Sequence, residues 1–396
     1  MKLIQELCSK YTTADDVKAQ GVYPYYKPIS SGQDPVVHMA DGKDVMMFGS
    51  NSYLGLSDDP RLKEAAIAAI QKYGTSCSGS RFLNGTLDIH KQLEEKLAKF
   101  VGKEEAVTFS TGFQVNLGVV STLGFRGGYI LLDDTDHACI IDGSRLSFST
   151  VYKFKHNDMV SLEQKLKACE TDAPKLIVVD GVYSMLGDLC PLPQICDLAD
   201  QYNASVMIDD AHGLGVFGKN GCGTADHFGL TDRVDLIMGT FSKSFGSLGG
   251  FIAGDHETVN YLKHNARSLI FSASMTPAAV AAADKALEIM QTEPERIANL
   301  WDVTNYAQKL FRENGFDINA TQSPIIPLMV RDTIKAMQIV ELAYQQGVFI
   351  TPVIAPAVRE SDVLIRFALM ATHTRAHVDK AVEVLTAIFK QLKVIE

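Results

Sequence analysis

The chain has 396 residues, of which 46% are hydrophobic and 21% charged, and its formal net charge at pH 7 is −10. This length is enough for two or three domains, and the composition is that of a folded protein, which excludes disorder as the main state. The negative charge argues against nucleic acid as a partner. The chain contains no uninterrupted apolar run of the roughly 18 residues that a membrane-spanning helix needs.

The cysteines and the first residues indicate the compartment. Seven cysteines are scattered at positions 8, 77, 139, 169, 190, 196 and 222, without a Cys-x-x-Cys pair. Residues 1–16 mix charged with apolar side chains and lack the apolar core of a signal peptide. We therefore expect a cytoplasmic protein with neither a disulfide framework nor a metal site.

Apolar runs and helical patterns alternate in the middle of the chain. The predicted strands are Tyr129–Asp133, Lys175–Asp180, Ala204–Asp209 and Val234–Met238. The predicted helices are Pro60–Tyr73, Ile89–Phe100, Leu162–Cys169 and Pro193–Gln201. Strands that are apolar on both faces and alternate with helices predict an α/β fold with a doubly wound, mostly parallel sheet. Ligands of such sheets bind beyond the carboxyl ends of the strands.

The pattern changes near Pro277. The predicted elements from there on are the helices Pro277–Thr292, Pro294–Asn314, Thr333–Gln346 and Arg375–Lys393 and the strands Ile325–Val330 and Val363–Leu369. They predict a smaller α+β domain at the C-terminal end. We therefore expect an N-terminal segment at 1–55, a large domain at 56–285 and a small domain at 286–396.

The segment Gly239–Gly250 places Lys243 directly after a predicted buried strand, among hydroxyl residues and glycines. A lysine that loses solvation there has a lowered pKa and acts as a nucleophile or base. Thr240 and Ser242 beside it could bond a phosphate group. A tight turn with an incidental lysine fits the same residues.

Asp209 ends another predicted strand, and His212 follows it closely. A lysine that forms a Schiff base, together with an aspartate facing a pyridinium nitrogen, is the arrangement that pyridoxal phosphate requires. Asp209 also fits a helix N-cap, and His212 fits a buried core histidine.

Three further segments contain candidate binding residues. In the segment 109–116, small hydroxyl residues and Gly112 precede a helical pattern, and the N–H groups at a helix start favour phosphate, although many helices begin with Ser-Thr-Gly. His137 follows a strand end, where an imidazole could stack on a planar ring or transfer protons. Arg366 lies within an apolar run and needs an anionic partner, either a substrate carboxylate or a structural salt bridge.

In their order along the chain, these segments resemble those of the α-oxoamine synthases, which are fold-type I pyridoxal phosphate enzymes. The resemblance also covers Asn51–Leu56, the Gly-Ser-Arg block at 79–81 with Gly85, Thr86 and His90, and the segment Gly181–Asp188. It extends from about residue 45 to about residue 375. It implies a fold-type I transferase with a large doubly wound domain, a smaller α+β C-terminal domain and pyridoxal 5'-phosphate as cofactor.

Four branches of this family are familiar: serine palmitoyltransferase, glycine C-acetyltransferase, 8-amino-7-oxononanoate synthase and 5-aminolevulinate synthase. Thr240–Phe245 and Phe367–Thr374 resemble soluble bacterial members of the first branch. This implies condensation of L-serine with palmitoyl-CoA to 3-ketodihydrosphingosine, with release of CoA and CO₂. The alternatives are glycine C-acetyltransferase or another branch, and, from a different class, a catalytically silent partner subunit.

The resemblance also implies roles for individual residues. Lys243 would carry the cofactor as a Schiff base and remove the Cα proton, while Asp209 would face the pyridine nitrogen. His137 would stack on the ring and His212 would assist near its oxygen. The implied cofactor-binding set is Gly112, Phe113, His137, Ser184, Asp209, His212, Thr240, Ser242, Lys243, Ser272 and Ala273. The implied substrate-binding set is Asn51, Tyr53 and Arg366.

In this family two subunits share each active site, so the resemblance implies a homodimer in which Ser272 and Ala273 reach the partner's phosphate site. The chain departs from the family at Thr351–Pro356, where some serine palmitoyltransferases carry an arginine. Arg366 is therefore the preferred carboxylate anchor, with Arg359 as the second choice. A long acyl chain also implies an apolar surface or tunnel and allows peripheral association with membranes.

Overall fold

The structure, a computed structural model, describes residues 2–396. The strands are β1 (Val36–His38), β2 (Asp44–Met47), β3 (Glu105–Phe109), β4 (Tyr129–Asp133), β5 (Thr150–Phe154), β6 (Lys175–Asp180), β7 (Ser205–Asp209), β8 (Leu236–Thr240), β9 (Gly250–Gly254), β10 (Ile325–Met329), β11 (Val348–Phe349), β12 (Thr351–Val353) and β13 (Leu364–Ala368).

The helices are α1 (Leu3–Ser9), α2 (Thr13–Ala19), α3 (Pro60–Tyr73), α4 (Asp88–Phe100), α5 (Gly112–Leu123), α6 (Ala138–Arg145), α7 (Met159–Lys167), α8 (Leu192–Tyr202), α9 (Thr224–His227), α10 (His256–Asn265), α11 (Arg267–Ile270), α12 (Pro277–Thr292), α13 (Glu295–Glu313), α14 (Thr333–Gln345) and α15 (Arg375–Gln391). Within residues 2–396 no helix has both the length and the apolar character needed to cross a membrane.

Seven strands form the central sheet in the order β3-β9-β8-β7-β6-β4-β5. Strand β9 is antiparallel to both of its neighbours, and the other pairs are parallel. The predicted doubly wound, mostly parallel sheet is therefore confirmed. Strand β8 extends through Thr240, two residues further than the sequence pattern predicted.

Strand β6 shows why the central strands are continuously apolar. Ile177 and Val179 enter the hydrophobic cluster on one face of the sheet, while Leu176 and Val178 enter the cluster on the other. Neighbouring side chains on a strand point to opposite faces, so helices on both sides require apolar residues at every position.

Three strands of this sheet were not predicted. Strands β3 and β5 form its edges, and β9 begins and ends with glycine, which strands usually avoid. The close packing of neighbouring backbone explains the glycine at position 250, because a Cβ there would lie 2.8 Å from the carbonyl oxygen of Gly239. The residues around Gly250 in the sequence give no indication of this contact.

The small domain contains a three-stranded antiparallel sheet in the order β10-β13-β12, packed against α13, α14 and α15. A third sheet, in the order β1-β2-β11, ties the N-terminal segment to this domain. Phe48, just after β2, stacks on Phe367 of β13 with 4.2 Å between the ring centroids. The N-terminal segment therefore shares the core of the small domain.

The predicted domain boundary between residues 285 and 286 lies inside helix α12. Side chains on both sides of that point, among them Ala283, Ala286 and Met290, belong to the cluster that covers the central sheet. We propose that the whole helix belongs to the large domain and that the small domain begins with α13.

Phe311 lies at the centre of an aromatic cluster in the core of the small domain. Its side chain is fully buried and its ring contacts Phe316 and Phe367, each with 5.0 Å between ring centroids. Phe311→Ala should lower the free energy of unfolding by about 3–5 kcal/mol through lost burial and a cavity.

Urea titration followed by the fluorescence of Trp301, the single tryptophan and a residue of α13, measures this change. Val160→Ala, at a side chain that is 67% exposed, is the control and should change the value by less than about 0.5 kcal/mol. A Phe311→Ala loss below about 1 kcal/mol would contradict the packing described here.

Candidate active site

A cleft with a volume of about 250 Å³ opens at the carboxyl ends of β4, β6, β7 and β8, beside the start of α5. The predicted site residues that line it are Gly112, Phe113, His137, Asp209, His212, Thr240, Ser242 and Lys243. Residues from separate strands and helices thus meet in one place, at the sheet edge where the fold class predicts a ligand.

Lys243 lies in the turn that follows β8 and lines this cleft. Burial lowers the pKa of its amine, and the charge of nearby Arg366 acts in the same direction. The carboxyl groups of Asp209 and Asp180 oppose the shift, and the net pKa is about 8. A substantial fraction of the amine is therefore neutral, and nucleophilic, near physiological pH.

Asp209 ends β7 and is buried. Its carboxylate accepts a hydrogen bond of 2.5 Å from the Asn116 side-chain amide and one of 3.0 Å from the N–H of Ala211. These two hydrogen bonds fix the orientation of the carboxyl group. The alternative role as a helix N-cap is not realised, because a turn follows the strand.

Asn116 is a site residue that the sequence reasoning missed. It lies on α5 and is completely buried among apolar neighbours such as Val115 and Val119. Besides Asp209, its amide contacts the Cys139 sulfur at 3.0 Å. An asparagine on the apolar face of a helix was the available signal, since buried polar groups need partners.

Asp180, on β6, is the second acidic residue of the cleft, and its Cα pairs in register with that of Asp209. Burial raises its pKa well above the ordinary value, and repulsion from the Asp209 carboxylate adds to the shift. One of its buried oxygens has no hydrogen-bond partner within residues 2–396. Burial next to a second carboxyl group therefore disfavours the charged form of Asp180.

His137 presents its ring to the cleft from the start of α6. Its Nδ1 accepts from the N–H of Cys139 at 3.3 Å and lies 2.8 Å from the Cys139 sulfur. Burial lowers the pKa of the ring, and the charge of Lys243 acts in the same direction against the attraction of Asp209. A neutral ring with an accepting Nδ1 carries its proton on Nε2.

His212 is buried, as the core alternative predicted, yet it also lines the cleft. Its Nδ1 lies 2.6 Å from the Tyr53 hydroxyl, which accepts a 3.1 Å hydrogen bond from Arg366. Burial lowers the pKa of His212 well below the ordinary value, and the charges of Lys243 and Arg366 reinforce this. The Tyr53 hydroxyl therefore donates to Nδ1, and the proton of His212 is on Nε2.

Arg366 comes from β13 of the small domain and is buried. Its Nε donates to the Ser184 carbonyl oxygen at 2.8 Å, while Nη2 binds Tyr53. The Asn51 side-chain oxygen lies 3.4 Å from the Tyr53 hydroxyl, whose proton is donated to His212 instead. Arg359, the second choice, is 88% exposed and pairs with Asp362, away from the cleft.

The start of α5 has the properties of an anion site. The Thr111 side chain caps the helix by accepting from the N–H of Gln114 at 3.1 Å. The N–H groups of Gly112 and Phe113 find no acceptor within residues 2–396. A side chain at Gly112 would fill this space, since its Cβ would lie 2.6 Å from the Thr240 hydroxyl oxygen.

Ser272 and Ala273 lie beside this helix start but do not line the cleft of their own chain. The Ser272 hydroxyl accepts from the Gln114 side-chain amide at 2.9 Å, and the Ala273 carbonyl accepts from the Ser110 hydroxyl. The role predicted for them across a dimer interface stays a prediction.

Comparison with known proteins places this geometry in a family. The sequence model described as aminotransferase class I and II matches residues 43–385, so the chain belongs to this family. A serine palmitoyltransferase of Bacteroides thetaiotaomicron is 59% identical over 395 residues that span both chains completely. An 8-amino-7-oxononanoate synthase of Lysinibacillus sphaericus is 42% identical, covering 96% of this chain and 97% of its own.

Solved structures agree with the sequence relatives. The serine palmitoyltransferase of Sphingomonas wittichii superimposes with a TM-score of 0.96 at 32% identity, and each chain is covered completely. A variant of the S. paucimobilis enzyme with a bound pyridoxal phosphate–myriocin adduct gives 0.96 at 31% identity, again with complete coverage. The predicted fold-type I class and the predicted kinship with serine palmitoyltransferases are confirmed.

The lowered pKa of Lys243 can be measured in the cofactor-free protein. Trace acetylation over a pH series, followed by peptide mass spectrometry, should give a half-maximal reactivity of Lys243 near pH 8, because only the neutral amine reacts. Asp209→Asn should move this midpoint to lower pH, since the carboxylate favours the ammonium form.

Exposed Lys63 in the same digests provides the internal reference for reagent and pH. A Lys243 midpoint above pH 10, or one that Asp209→Asn moves upward, would contradict the electrostatics described here.

Proposed function

We propose that the chain is a pyridoxal phosphate-dependent acyltransferase that joins L-serine to palmitoyl-CoA and releases CoA and CO₂ to give 3-ketodihydrosphingosine. One observation carries the proposal. Lys243 and Asp209 line the same cleft, and the helix start that can bind an anion lies beside it. Relatives that bear the name serine palmitoyltransferase, identical at 57–59% over nearly the whole chain, support the choice of substrates.

The cleft residues fit pyridoxal phosphate. The free N–H groups of Gly112 and Phe113, with the hydroxyls of Thr240 and Ser242, would hold the phosphate group. The Asp209 carboxylate would hold the proton of the ring nitrogen. When bound, the cofactor supplies a carbonyl carbon that condenses with amines and a protonated ring that accepts an electron pair from Cα.

Lys243 has two tasks that its environment permits. Its partly neutral amine can attack a carbonyl carbon, and, once displaced by the amine of serine, it can remove the proton from the serine Cα. Both tasks require a base near neutral pH, which the burial of the amine provides.

Arg366 would hold the serine carboxylate, while Tyr53 fixes the guanidinium group and Asn51 lies nearby. An arginine is suited to this task because its planar fork binds both oxygens of a carboxylate. Holding that group fixes the rotation of the Cα bonds, and rotation decides which bond is broken. Arg366 is itself fixed by the Ser184 carbonyl and the Tyr53 hydroxyl.

The two histidines contribute neutral rings. His212 would donate from Nε2 to the ring oxygen of the cofactor, and His137 would lie against the ring face. Burial disfavours a positive charge on both rings. The cations Lys243 and Arg366 add to this effect at His212, and Lys243 adds to it at His137. Ser184, which the resemblance also implies for the cofactor, does not line the cleft, and its carbonyl oxygen accepts from Arg366.

We propose a cytoplasmic homodimer in which Ser272 and Ala273 complete the partner's phosphate site. All seven cysteines are unpaired within residues 2–396, which supports a reducing compartment. The side chain of the neighbouring Phe271 is 75% exposed, and the proposed dimer contact would cover it. Peripheral association with membranes, for the lipid product, stays a prediction.

The substrates are tested with a matrix of amino acids and acyl chains. Turnover of L-serine and glycine is measured with acyl-CoA from two to eighteen carbons, and we expect a maximum at L-serine with chains of about sixteen carbons, as the named relatives predict. Lys243→Ala should reduce turnover by at least about 100-fold, because the general base is lost.

Borohydride reduction followed by peptide mapping should place the pyridoxyl group on Lys243. A maximum at glycine with acetyl-CoA would replace the proposal by glycine C-acetyltransferase. A wild-type protein that binds no cofactor would support a catalytically silent subunit.

The shared site is tested with hybrid dimers. Lys243→Ala and Ala273→Glu should each inactivate the homodimer, the second by placing a carboxylate against the phosphate. A dimer with one subunit of each kind should keep one complete site, because the subunit with intact Lys243 receives an unaltered Ala273 from its partner. We expect up to about half of the wild-type activity, and an inactive purified hybrid would show that Ala273 acts within its own chain.

A further inference from the structure

His156 forms an ionic cluster outside the cleft that the proposed mechanism does not use. It follows β5, and its Nδ1 lies 3.0 Å from the Asp133 carboxylate at the end of β4. Its Nε2 lies 2.8 Å from the carboxylate of Asp188. The imidazole therefore bridges the edge of the central sheet and the loop that follows β6.

Two carboxylates, one on each ring nitrogen, require a doubly protonated imidazole, since a neutral ring has only one N–H to donate. Burial by itself would lower the pKa of His156, but the hydrogen bonds to Asp133 and Asp188 outweigh it and raise the pKa to about 10. The bridge is thus charge-assisted on both sides, which is the stronger class of hydrogen bond.

Asn157 reinforces the bridge from the next position. Its backbone N–H donates to Asp133 at 2.9 Å, and its side-chain amide donates to the Asp188 carboxylate at 2.9 Å and to the Leu189 carbonyl at 3.2 Å. A positive φ of 53° turns the backbone so that both groups reach the loop. Asparagine tolerates this conformation better than most residues.

The loop of residues 181–190 connects this cluster to the substrate site. Tyr183 donates from its backbone N–H to the Asp188 carbonyl at 2.9 Å, and its ring packs edge-on against His156 with 4.4 Å between centroids. The next residue, Ser184, provides the carbonyl oxygen that accepts from Nε of Arg366. The position of Asp188 therefore sets the position of this carbonyl.

We propose that His156 is a positioning residue for the substrate carboxylate: it clamps the loop of residues 181–190 through Asp188, so that the Ser184 carbonyl orients Arg366. The proposal rests on the assignment of Arg366 as the carboxylate anchor under the proposed function. It gives a task to Asp188, which the family resemblance singled out and the mechanism left without a role.

The arrangement predicts an effect that depends on the substrate carboxylate. Without the clamp Arg366 keeps its bond to Tyr53 but loses a fixed partner on Nε. Gly181, the first residue of this loop, donates its N–H to the Asp209 carbonyl oxygen, and Val182 lines the cleft. The side chains of His156 and Asp188 make no hydrogen bond to α5, Asp209 or Lys243 within residues 2–396, so the affinity for the cofactor should change less than that for L-serine.

The test uses the cofactor-loaded enzyme and follows the cofactor absorbance while L-serine or L-serine methyl ester is added. His156→Gln should weaken the binding of L-serine about tenfold, the loss of one charge-assisted contact, and change that of the ester less than twofold. Asp188→Asn should cause the same selective loss, which guards against a folding defect of the first variant. His256→Gln, at a histidine paired with Glu105 on the far edge of the sheet, is the matched control and should leave both ligands unaffected.

Coupling to Arg366 is tested in an Arg366→Lys background, where His156→Gln should have no further effect on L-serine. Equal losses for serine and ester, additive losses in the double variant, or unchanged serine binding in both single variants would overturn the proposal. Glycine and its methyl ester are run in parallel. A wild type that responds only to glycine would refute the proposed substrate, while the ester comparison on glycine would still decide the role of His156.

Discussion

The active site depends on one electrostatic arrangement, a lysine amine withdrawn from water beside a buried aspartate. Burial at the end of β8 lowers the pKa of Lys243 to about 8, while Asp209 limits the shift. The Asp209 carboxyl group accepts two N–H hydrogen bonds, while burial, with repulsion from Asp209 added to it, raises the pKa of Asp180 beside it. The cleft thus places an amine of lowered pKa beside a hydrogen-bonded carboxyl group, which are the two functions that the cofactor needs.

A second feature is that the substrate end of the site is assembled from three parts of the chain. Tyr53 comes from the N-terminal segment, Ser184 from the large domain and Arg366 from the small domain. Phe48, stacked on Phe367, keeps the N-terminal segment in the core of the small domain. Any movement of the small domain therefore displaces Tyr53 and Arg366 together, which links domain arrangement to substrate binding.

Features that depend on local interactions could be predicted from the sequence, whereas features that depend on long-range contacts could not. Helix α3 and strands β4 and β6 have the predicted bounds, because capping and continuous apolar runs are local signals. Strand β9 was missed because its glycines are required by close contacts with backbone that is distant in the sequence. Asn116 was missed because its partner Asp209 lies 93 residues away in the chain. The packing of α12 on the central sheet supports the boundary proposed after this helix.

The amino-acid sequence alone determined the family, the alternation of strands and helices, and the residue types that the chemistry needs, since these follow from local patterns and ordered motifs. Only the tertiary structure decided which carboxyl group has a raised pKa, which arginine reaches the cleft and which nitrogen of each histidine carries the proton. These properties arise from burial and from the distances between groups far apart in the chain, and a linear pattern contains neither.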